Sequence, residues 1–434
     1  MPNQFTTSLW GDEAFSAVLS QNSISRIIDV SARDTYPPLY NILEHIWFNF
    51  FGSSEIAVRS LSFLFFLLAI FFTYKIGSFL WNKKTGLAAA FLLFLNPFFF
   101  IYAFEGRMYS ILALGVTASM YFFLKRNWLG YIIATTWALY SHHFAIFAVV
   151  VQGIWFLYEF FFGKRKIAIQ MFKSFIAIAI LYLPWIIPLY NQINRVGGGF
   201  WLGTPTLKDL GGLISEFLAT GIKHELAIPA LYVVYLILIT RRWTRSFQKS
   251  LFLVSWFLLP ILLTWFVSQK FQSIFFNRYL LYTIPGGMLI LASNWRKPVS
   301  NILIAIVLVL FATIDFNYFT HPTKKPFQDL ASFVKETRQE GDFLINWNSS
   351  AHHLWETKYY GIPAPIYVPE GDLPFYVGTA QMTDEDILRE IPKTAKRLGV
   401  ITSGPVDEIE LPNYTEGEFA PFGDLKFIWY QRNR

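Results

Sequence analysis

Leu9-Trp10-Gly11-Asp12-Glu13-Ala14-Phe15-Ser16 sets an acidic pair ahead of a long stretch of bilayer-grade apolar sequence, and that contrast decides the fold. A carboxylate near a membrane is costly unless solvated or paired, so its position is informative. Residues 1–319 hold only twelve Asp or Glu, and six of them (Asp12, Glu13, Asp29, Asp34, Glu44, Glu55) fall in the first 55 positions. The apolar sequence beyond them is nearly free of acids.

Of the 434 residues, 54% are hydrophobic, 19% aromatic and only 15% charged, where a globular chain carries about 25% charged residues. With a positive mean hydropathy, this is the composition of a polytopic α-helical membrane protein. Forty-six Phe and fifteen Trp suit lipid-facing surfaces and interfacial belts. The net charge of +7 is unevenly spread: residues 1–319 carry 24 Lys or Arg against 12 acids, and residues 320–434 carry 12 against 17. The basic excess lies in short loops between apolar runs, so it signals orientation and not nucleic-acid binding. Without cysteine there are no disulfides and no thiolate metal sites.

Apolar runs predict about ten spans, at 56–80, 87–104, 109–124, 128–144, 145–162, 168–190, 226–240, 250–267, 279–294 and 298–318. The connecting loops alternate in charge. One set carries Lys83-Lys84, Lys125-Arg126, Lys164-Arg165-Lys166, Arg241-Arg242 with Arg245 and Lys249, and Arg296-Lys297, thirteen basic residues in five loops. The positive-inside rule puts these in the cytoplasm. The opposite, extracytoplasmic face then receives residues 1–55, Glu105 to Tyr109, His142-His143, the 191–225 loop, Gln269 to Tyr279 and residues 320–434. A multi-pass plasma-membrane protein is expected, with its active site and C-terminal domain outside. No signal peptide or hydrophobic helix precedes residues 1–55. Either a first spanning helix is missing or this segment crosses with the first hairpin, and the former is the preferred expectation.

The division expected is a transmembrane domain over 1–319, opening with an extracytoplasmic loop at 1–55, and a soluble α/β domain over 320–434. In 13–50, Ala14, Phe15, Val18, Leu19, Ile27, Ile28 and Val30 have helical spacing with polar residues between, as in interfacial helices. Tyr36-Pro37-Pro38 breaks the pattern, and a second amphipathic helix is predicted over 39–51. In the tail, helices are predicted over 329–340 and 351–360, and strands over 342–347, 364–368, 397–402 and 425–430. A capping-box pattern, Thr383 to Asp386, is expected to open another helix.

Several polar residues on the outer face are candidates for chemistry. Asp12 and Glu13 are read either as first-turn acids of a helix or as catalytic carboxylates. Glu105-Gly106-Arg107-Met108-Tyr109 holds an acid and a base in a short turn. They form either a self-satisfying pair, or an Arg that meets an anion and a Glu that orients it. His142 and His143 point about 100° apart on a helix, so substrate contact is favoured over metal chelation. Arg278-Tyr279 is either a snorkelling anchor or a phosphate site suited to a guanidinium fork. Arg59 is placed to pair with Glu55 or to join that cluster.

Four segments in order carry a family resemblance: Trp10-Gly11-Asp12-Glu13-Ala14-Phe15-Ser16, Tyr36-Pro37-Pro38-Leu39-Tyr40, Ser54-Glu55-Ile56-Ala57-Val58-Arg59-Ser60-Leu61-Ser62, and Asn96-Pro97-Phe98-Phe99-Phe100-Ile101-Tyr102-Ala103-Phe104-Glu105-Gly106-Arg107-Met108-Tyr109-Ser110. The chain resembles the GT-C superfamily of integral-membrane glycosyltransferases. More narrowly, it is similar to the branch related to protein O-mannosyltransferases and lipid A aminoarabinose transferases. The likeness covers 9–320 and is strongest over 9–145. Many relatives have His where this chain has Tyr36, which is taken as substrate-binding together with Tyr109, His142 and His143.

The resemblance implies a polyprenyl-phosphate-linked sugar donor and a lipid, glycan or protein acceptor at the cell envelope, with membrane lipids around the chain. It maps the catalytic acid onto Asp12, with Glu13 beside it, the acid-x-Arg element onto Glu105 and Arg107, and the late Arg-Tyr onto Arg278 and Tyr279. Because polyprenyl phosphate is already a good leaving group, neither a nucleotide pocket nor a Gly-rich loop is needed. A carboxylate takes the acceptor proton and cations stabilise the departing phosphate. Asp12 is the expected base of an inverting displacement, Arg107, Arg278 and Arg59 the phosphate partners, and a divalent metal (Mg or Mn) a further candidate for that load. A transporter or flippase of lipid-linked saccharides is the alternative and predicts broken helices and internal repeats. A receptor-like scaffold is the third reading. Pro184 and Pro188 break one helix, but no repeat is evident.

Overall fold

The computed structural model describes residues 3–240, 247–293, 298–347 and 350–433. The chain divides into two compact units, one of Thr35–Tyr40 with Arg59–Thr320, the other of Met1–Asp34, Asn41–Val58 and His321–Arg434. The loop cations Arg241, Arg242, Arg245, Arg296 and Lys297 lie outside the described residues.

Three helices come first: α1 (Gly11–Ser20), α2 (Ile24–Arg33) and α3 (Leu39–Phe51). Asp12 and Glu13 occupy the first turn of α1, where acids complement the unpaired amides of a helix start. Glu13 Oε2 also accepts from the Trp10 amide at 3.4 Å, half of a capping box. Ser23 caps α2, its Oγ accepting from Arg26 N. The Pro37-Pro38 step ends that helical stretch, because the residue before a proline is pushed out of the α region. Between α1 and α3, Ser20 Oγ donates to Glu44 Oε2 at 2.7 Å and accepts from Asn41 Nδ2 at 2.9 Å. This network satisfies a carboxylate that is fully buried.

The helical unit continues through α4 (Glu55–Leu80), α5 (Lys83–Phe94), α6 (Pro97–Ile101), α7 (Tyr109–Lys125), α8 (Trp128–Ser141), α9 (Ala145–Phe162), α10 (Arg165–Tyr182), α11 (Ile186–Gly197), α12 (Leu207–Ser215), α13 (Ala227–Ile239), α14 (Phe247–Ser268), α15 (Asn277–Leu280), α16 (Ile284–Ala292) and α17 (Pro298–Thr320). Among the described residues five stretches are long and apolar enough to cross a membrane: α4, α9, Arg165–Gly197, α14 and α17. The pair Lys83–Phe94 and Pro97–Phe104, bent by 59°, makes a sixth if counted as one span. The bend falls at Asn96, whose Oδ1 accepts from the Phe99 amide at 2.9 Å to start the next helix.

The other four runs expected to span form short helices: α7 with 17 residues, α8 with 14, α13 with 13 and α16 with 9. A span needs roughly 20 residues. Every residue of α16 is buried, as is α7 from Tyr109 to Met120, as in helices packed into a protein interior. α8 and α13 expose large apolar side chains, among them Leu129, Ile133, Ile228 and Ile239, as do the long helices with Ile154, Leu157 and Phe161 on α9 and Ile302, Ile306 and Val309 on α17.

Packing inside this unit uses small residues, as membrane helices do. A Cβ on Gly115 of α7 would lie 2.9 Å from Ala138 Cα on α8, and one on Gly77 of α4 would lie 2.8 Å from Gly86 Cα on α5. A buried polar network crosses the same region. Tyr131 OH donates to Gln152 Oε1 at 2.8 Å, and Gln152 Nε2 donates to Ser119 Oγ at 2.8 Å.

The tail folds as α18 (Phe327–Thr337), β1 (Phe343–Trp347), α19 (His353–Tyr359), β2 (Ile366–Tyr367), β3 (Ile387–Leu388), β4 (Arg397–Thr402), β5 (Tyr414–Phe422) and β6 (Leu425–Arg432). The six strands form one mixed sheet in the order β3-β2-β1-β4-β6-β5. β1 pairs in parallel with β2 and β4, while β6 runs antiparallel to β4 and β5. One face packs Phe327, Leu330 and Val334 of α18 against Leu344, Phe427 and Trp429. The expected helix after Thr383 is a single 3₁₀ turn, Asp384–Asp386. Its capping bonds do form, Thr383 N donating to Asp386 Oδ2 at 2.9 Å, but Ile387 and Leu388 then pair with β2 and end it.

Candidate functional site

Two clusters of polar side chains gather the candidate residues, one within each unit. In the helical unit, Arg107 lies in the turn between the Tyr102–Phe104 3₁₀ segment and α7, its amide donating to Glu105 O at 2.7 Å. Its guanidinium carbon sits 5.2 Å from the Tyr36 ring centroid, so the Tyr-Pro-Pro segment supplies a cation–π wall. Glu105 and Arg107 are buried. Glu105, Tyr109 and Arg278 all lie within electrostatic reach of Tyr102.

Arg278, on the single turn of α15, faces an aromatic cage. Its guanidinium is 4.8 Å from the Phe276 ring centroid, 5.5 Å from Tyr109 and 6.0 Å from Tyr279. Tyr109 and Tyr279 stack at 6.3 Å, and the His142 ring lies 4.9 Å from Tyr279. Arg107 and Arg278 both act electrostatically on His142. Tyr36, Arg107, Tyr109, His142, Arg278 and Tyr279 thus form one cationic, aromatic-walled cluster. Cations with mixed aromatic surface suit a phosphate attached to an apolar chain.

His142 and His143 lie not on a helix, as the sequence suggested, but in the link between α8 and α9, where His142 is the extended residue that ends α8, and they part company there. His142 Nδ1 accepts from the Phe144 amide at 3.2 Å. His143 turns to α10 and α11, with Nδ1 3.1 Å from Tyr182 OH and Nε2 2.7 Å from Gln192 Oε1. Both its ring nitrogens are engaged there. Arg59 is fully buried in the first turns of α4.

Asp12 and Glu13 lie in the other unit. Asp12 is half-buried. Glu13 is fully buried and ion-paired to Lys324, Nζ to Oε2 at 2.7 Å. With its bond to the Trp10 amide, Glu13 has the structural role that its first-turn position suggests.

Beside Asp12 stands a group that the sequence reading passed over: His352, His353 and Glu356. His353 Nδ1 meets Glu356 Oε2, while His353 Nε2 lies 3.1 Å from Ser403 Oγ. A Cβ on Gly11 would come within 3.3 Å of the His352 ring, so the start of α1 rests directly on it. Asp12 is within electrostatic reach of His352 and Glu356. Burial pushes Glu356 up to about 8 and His353 down to about 3, and it lowers His352 to about 4. The segment His352-His353-x-x-Glu356, with an i,i+3 pair on one helical face, was the available signal.

No family model matches the chain, and no curated protein is similar to it in sequence. Solved structures are similar in fold. ArnT from Cupriavidus metallidurans, in the apo state and bound to undecaprenyl phosphate, matches with a TM-score of 0.67 at 12% identity, over 98% of this chain and 94% of ArnT. The oligosaccharyltransferase of Archaeoglobus fulgidus, in complex with Zn and sulfate, matches with a TM-score of 0.54 at 14% identity, over 83% of this chain and 58% of that one. The oligosaccharyltransferase AglB from Archaeoglobus fulgidus, with an inhibitory peptide and a dolichol-phosphate, matches at 0.50 with 14% identity, over 83% of this chain and 61% of that one. At these identities the likeness establishes the fold, one shared with ArnT and with the archaeal oligosaccharyltransferase.

Proposed function

We propose that this chain transfers a sugar from a polyprenyl-phosphate-sugar to an acceptor on the extracytoplasmic face of the membrane, with inversion at the anomeric carbon. What carries the reading is the cluster of Arg107 and Arg278 against Tyr36, Tyr109 and Tyr279. It lies in a fold whose ArnT representative binds undecaprenyl phosphate and whose AglB representative binds a dolichol-phosphate.

In the reaction, an acceptor hydroxyl attacks the anomeric carbon as the bond from that carbon to the phosphate oxygen breaks. Asp12 takes the hydroxyl proton, a role open to a half-buried carboxylate that Glu13, engaged with Lys324, does not share. Arg107 and Arg278 stabilise the negative charge on the leaving polyprenyl phosphate, and Glu105 orients Arg107. Tyr36, Tyr109 and Tyr279 offer aromatic faces to the sugar and the first prenyl units, with His142 at their edge. The transferred unit is a hexosyl or pentosyl group. The comparisons do not favour the transporter reading.

The test is transfer of radiolabelled sugar from a panel of polyprenyl-phosphate sugars in membranes, comparing wild type with Asp12→Asn. Transfer from at least one donor, falling by about 100-fold or more in the mutant, is expected for loss of a general base. Equal transfer by the mutant removes Asp12 from this role. For sidedness, cysteine introduced at the exposed Ser25 should be labelled from outside intact cells, and cysteine introduced at the exposed Lys84 should not.

A further inference from the structure

The ligand-capable atoms of His352, His353 and Glu356 all lie within 4.8 Å of one another, and among the described residues this is the only such group of three. His353 and Glu356 are each 1% exposed, while the His352 side is open. They sit where ligands collect in α/β sheets, beyond the carboxyl ends of the parallel strands β1 and β4. A buried imidazole and a buried carboxylate are an expensive pair to enclose without a function.

We propose that His352, His353 and Glu356 hold a divalent ion of the zinc class in the C-terminal domain. Imidazole nitrogens suit zinc and its transition-metal neighbours, whereas magnesium and manganese prefer oxygen donors. His353 Nδ1 and Glu356 Oε2 already converge, and His353 Nε2 is held by Ser403 Oγ. This is the outer-shell bond that fixes a ligand imidazole. Three protein ligands with an open side leave a fourth position for solvent. The charged groups that face the site are Asp12 and Glu13, which favour a cation, and Lys325, which opposes it.

The ion would also anchor the start of α1, because Gly11 rests on His352. The inference stands apart from the transferase reading, since metal loading is measured without donor or acceptor.

The test uses full-length protein in detergent, stripped with chelator and titrated with Zn²⁺, and with Co²⁺ as a coloured probe of tetrahedral nitrogen ligation. One equivalent per chain is expected for wild type. His352→Ala and Glu356→Gln should each lower the affinity by more than about 100-fold, and Ser403→Ala by about 10- to 100-fold. Because His353 and Glu356 are buried, the exposed His352 provides the variant whose metal-free melting temperature should match that of wild type. Failure of the wild type to take up one equivalent overturns the site, as does unchanged affinity in His352→Ala and Glu356→Gln.

Discussion

Lys324 Nζ lies 2.7 Å from Glu13 Oε2, joining residues 311 positions apart, and the carboxylate it meets is fully buried. A buried charge that loses its partner is far more destabilising than the pair is stabilising. Lys324→Met should therefore lower stability by about 3 kcal/mol. The double change Glu13→Gln with Lys324→Met should recover part of that loss, because the two side chains are directly coupled. Thermal melts of the detergent-solubilised protein decide it. A single mutant within about 0.5 kcal/mol of wild type, as for a surface change, would show that Glu13 does not depend on Lys324.

The same pair marks how far the sequence could be read. The strand over 397–402 and the helix over 39–51 match the structure to the residue, because periodicity and turn residues agree locally. The edge strand β5 gave no such signal. Its sequence, Tyr414 to Phe422, holds Gly417, Pro421 and two acids and carries a register shift between Glu416 and Phe419. An edge tolerates what a central strand does not. Glu13 was legible as a first-turn acid, but its ion pair was not, since Lys324 is brought to it only by the tertiary fold. The residues 351–360 read as a helix by pattern, yet the convergence of His353 with Ser403 depends on β4 lying beside β1. Arg107 and Arg278 were legible through motif order, and their aromatic cage was not.

Arg278 should not tolerate even a conservative exchange. Its planar guanidinium is packed among the rings of Phe276, Tyr109 and Tyr279, and lysine keeps the charge but loses both the stacking and the two-pronged geometry that the proposed phosphate contact calls for. A hydrogen bond to a charged group contributes about 1.5–3 kcal/mol. Arg278→Lys should accordingly lower kcat/KM for the polyprenyl donor by about 10-fold and Arg278→Ala by about 100-fold. Donor kinetics in proteoliposomes measure this, and wild-type values for Arg278→Lys would reduce the residue to a generic surface anchor.

Gly378 is a position where a single methyl group should be felt. Its φ of +92° lies in the left-handed region, and an added Cβ would come 2.7 Å from Trp355 Nε1 and 2.9 Å from the Phe15 ring. Trp355 is in turn tied to Val377 O at 3.2 Å and meets Phe15 edge-on at 5.0 Å. Gly378→Ala should lower stability by about 2–4 kcal/mol, combining backbone strain with overpacking. Gly423, with φ of +61° and nothing within 4 Å of a Cβ, is the control. Its alanine variant should lose only about 1 kcal/mol. Equal melting temperatures for the two variants would mean that the Trp355 pocket is looser than its distances indicate.

Asp315 lies on α17, one of the helices long and apolar enough to span a membrane, and it is 2% exposed. Neither carboxyl oxygen has a hydrogen-bond partner among the described residues. Its neighbour Ile314 packs into an apolar cluster with Ile222 and Ala227. A buried polar group without a partner is unfavourable by about 1–3 kcal/mol, so Asp315→Leu, similar in size and wholly apolar, should raise the melting temperature. Asp315→Asn should not, because it keeps an unsatisfied polar head. Carboxyl groups inside membrane helices are often retained for function, which supplies the opposing outcome. If Asp315→Leu melts higher and still transfers sugar, the carboxyl is dispensable. If it melts higher and transfer is lost, Asp315 belongs to the working machinery of the helical unit.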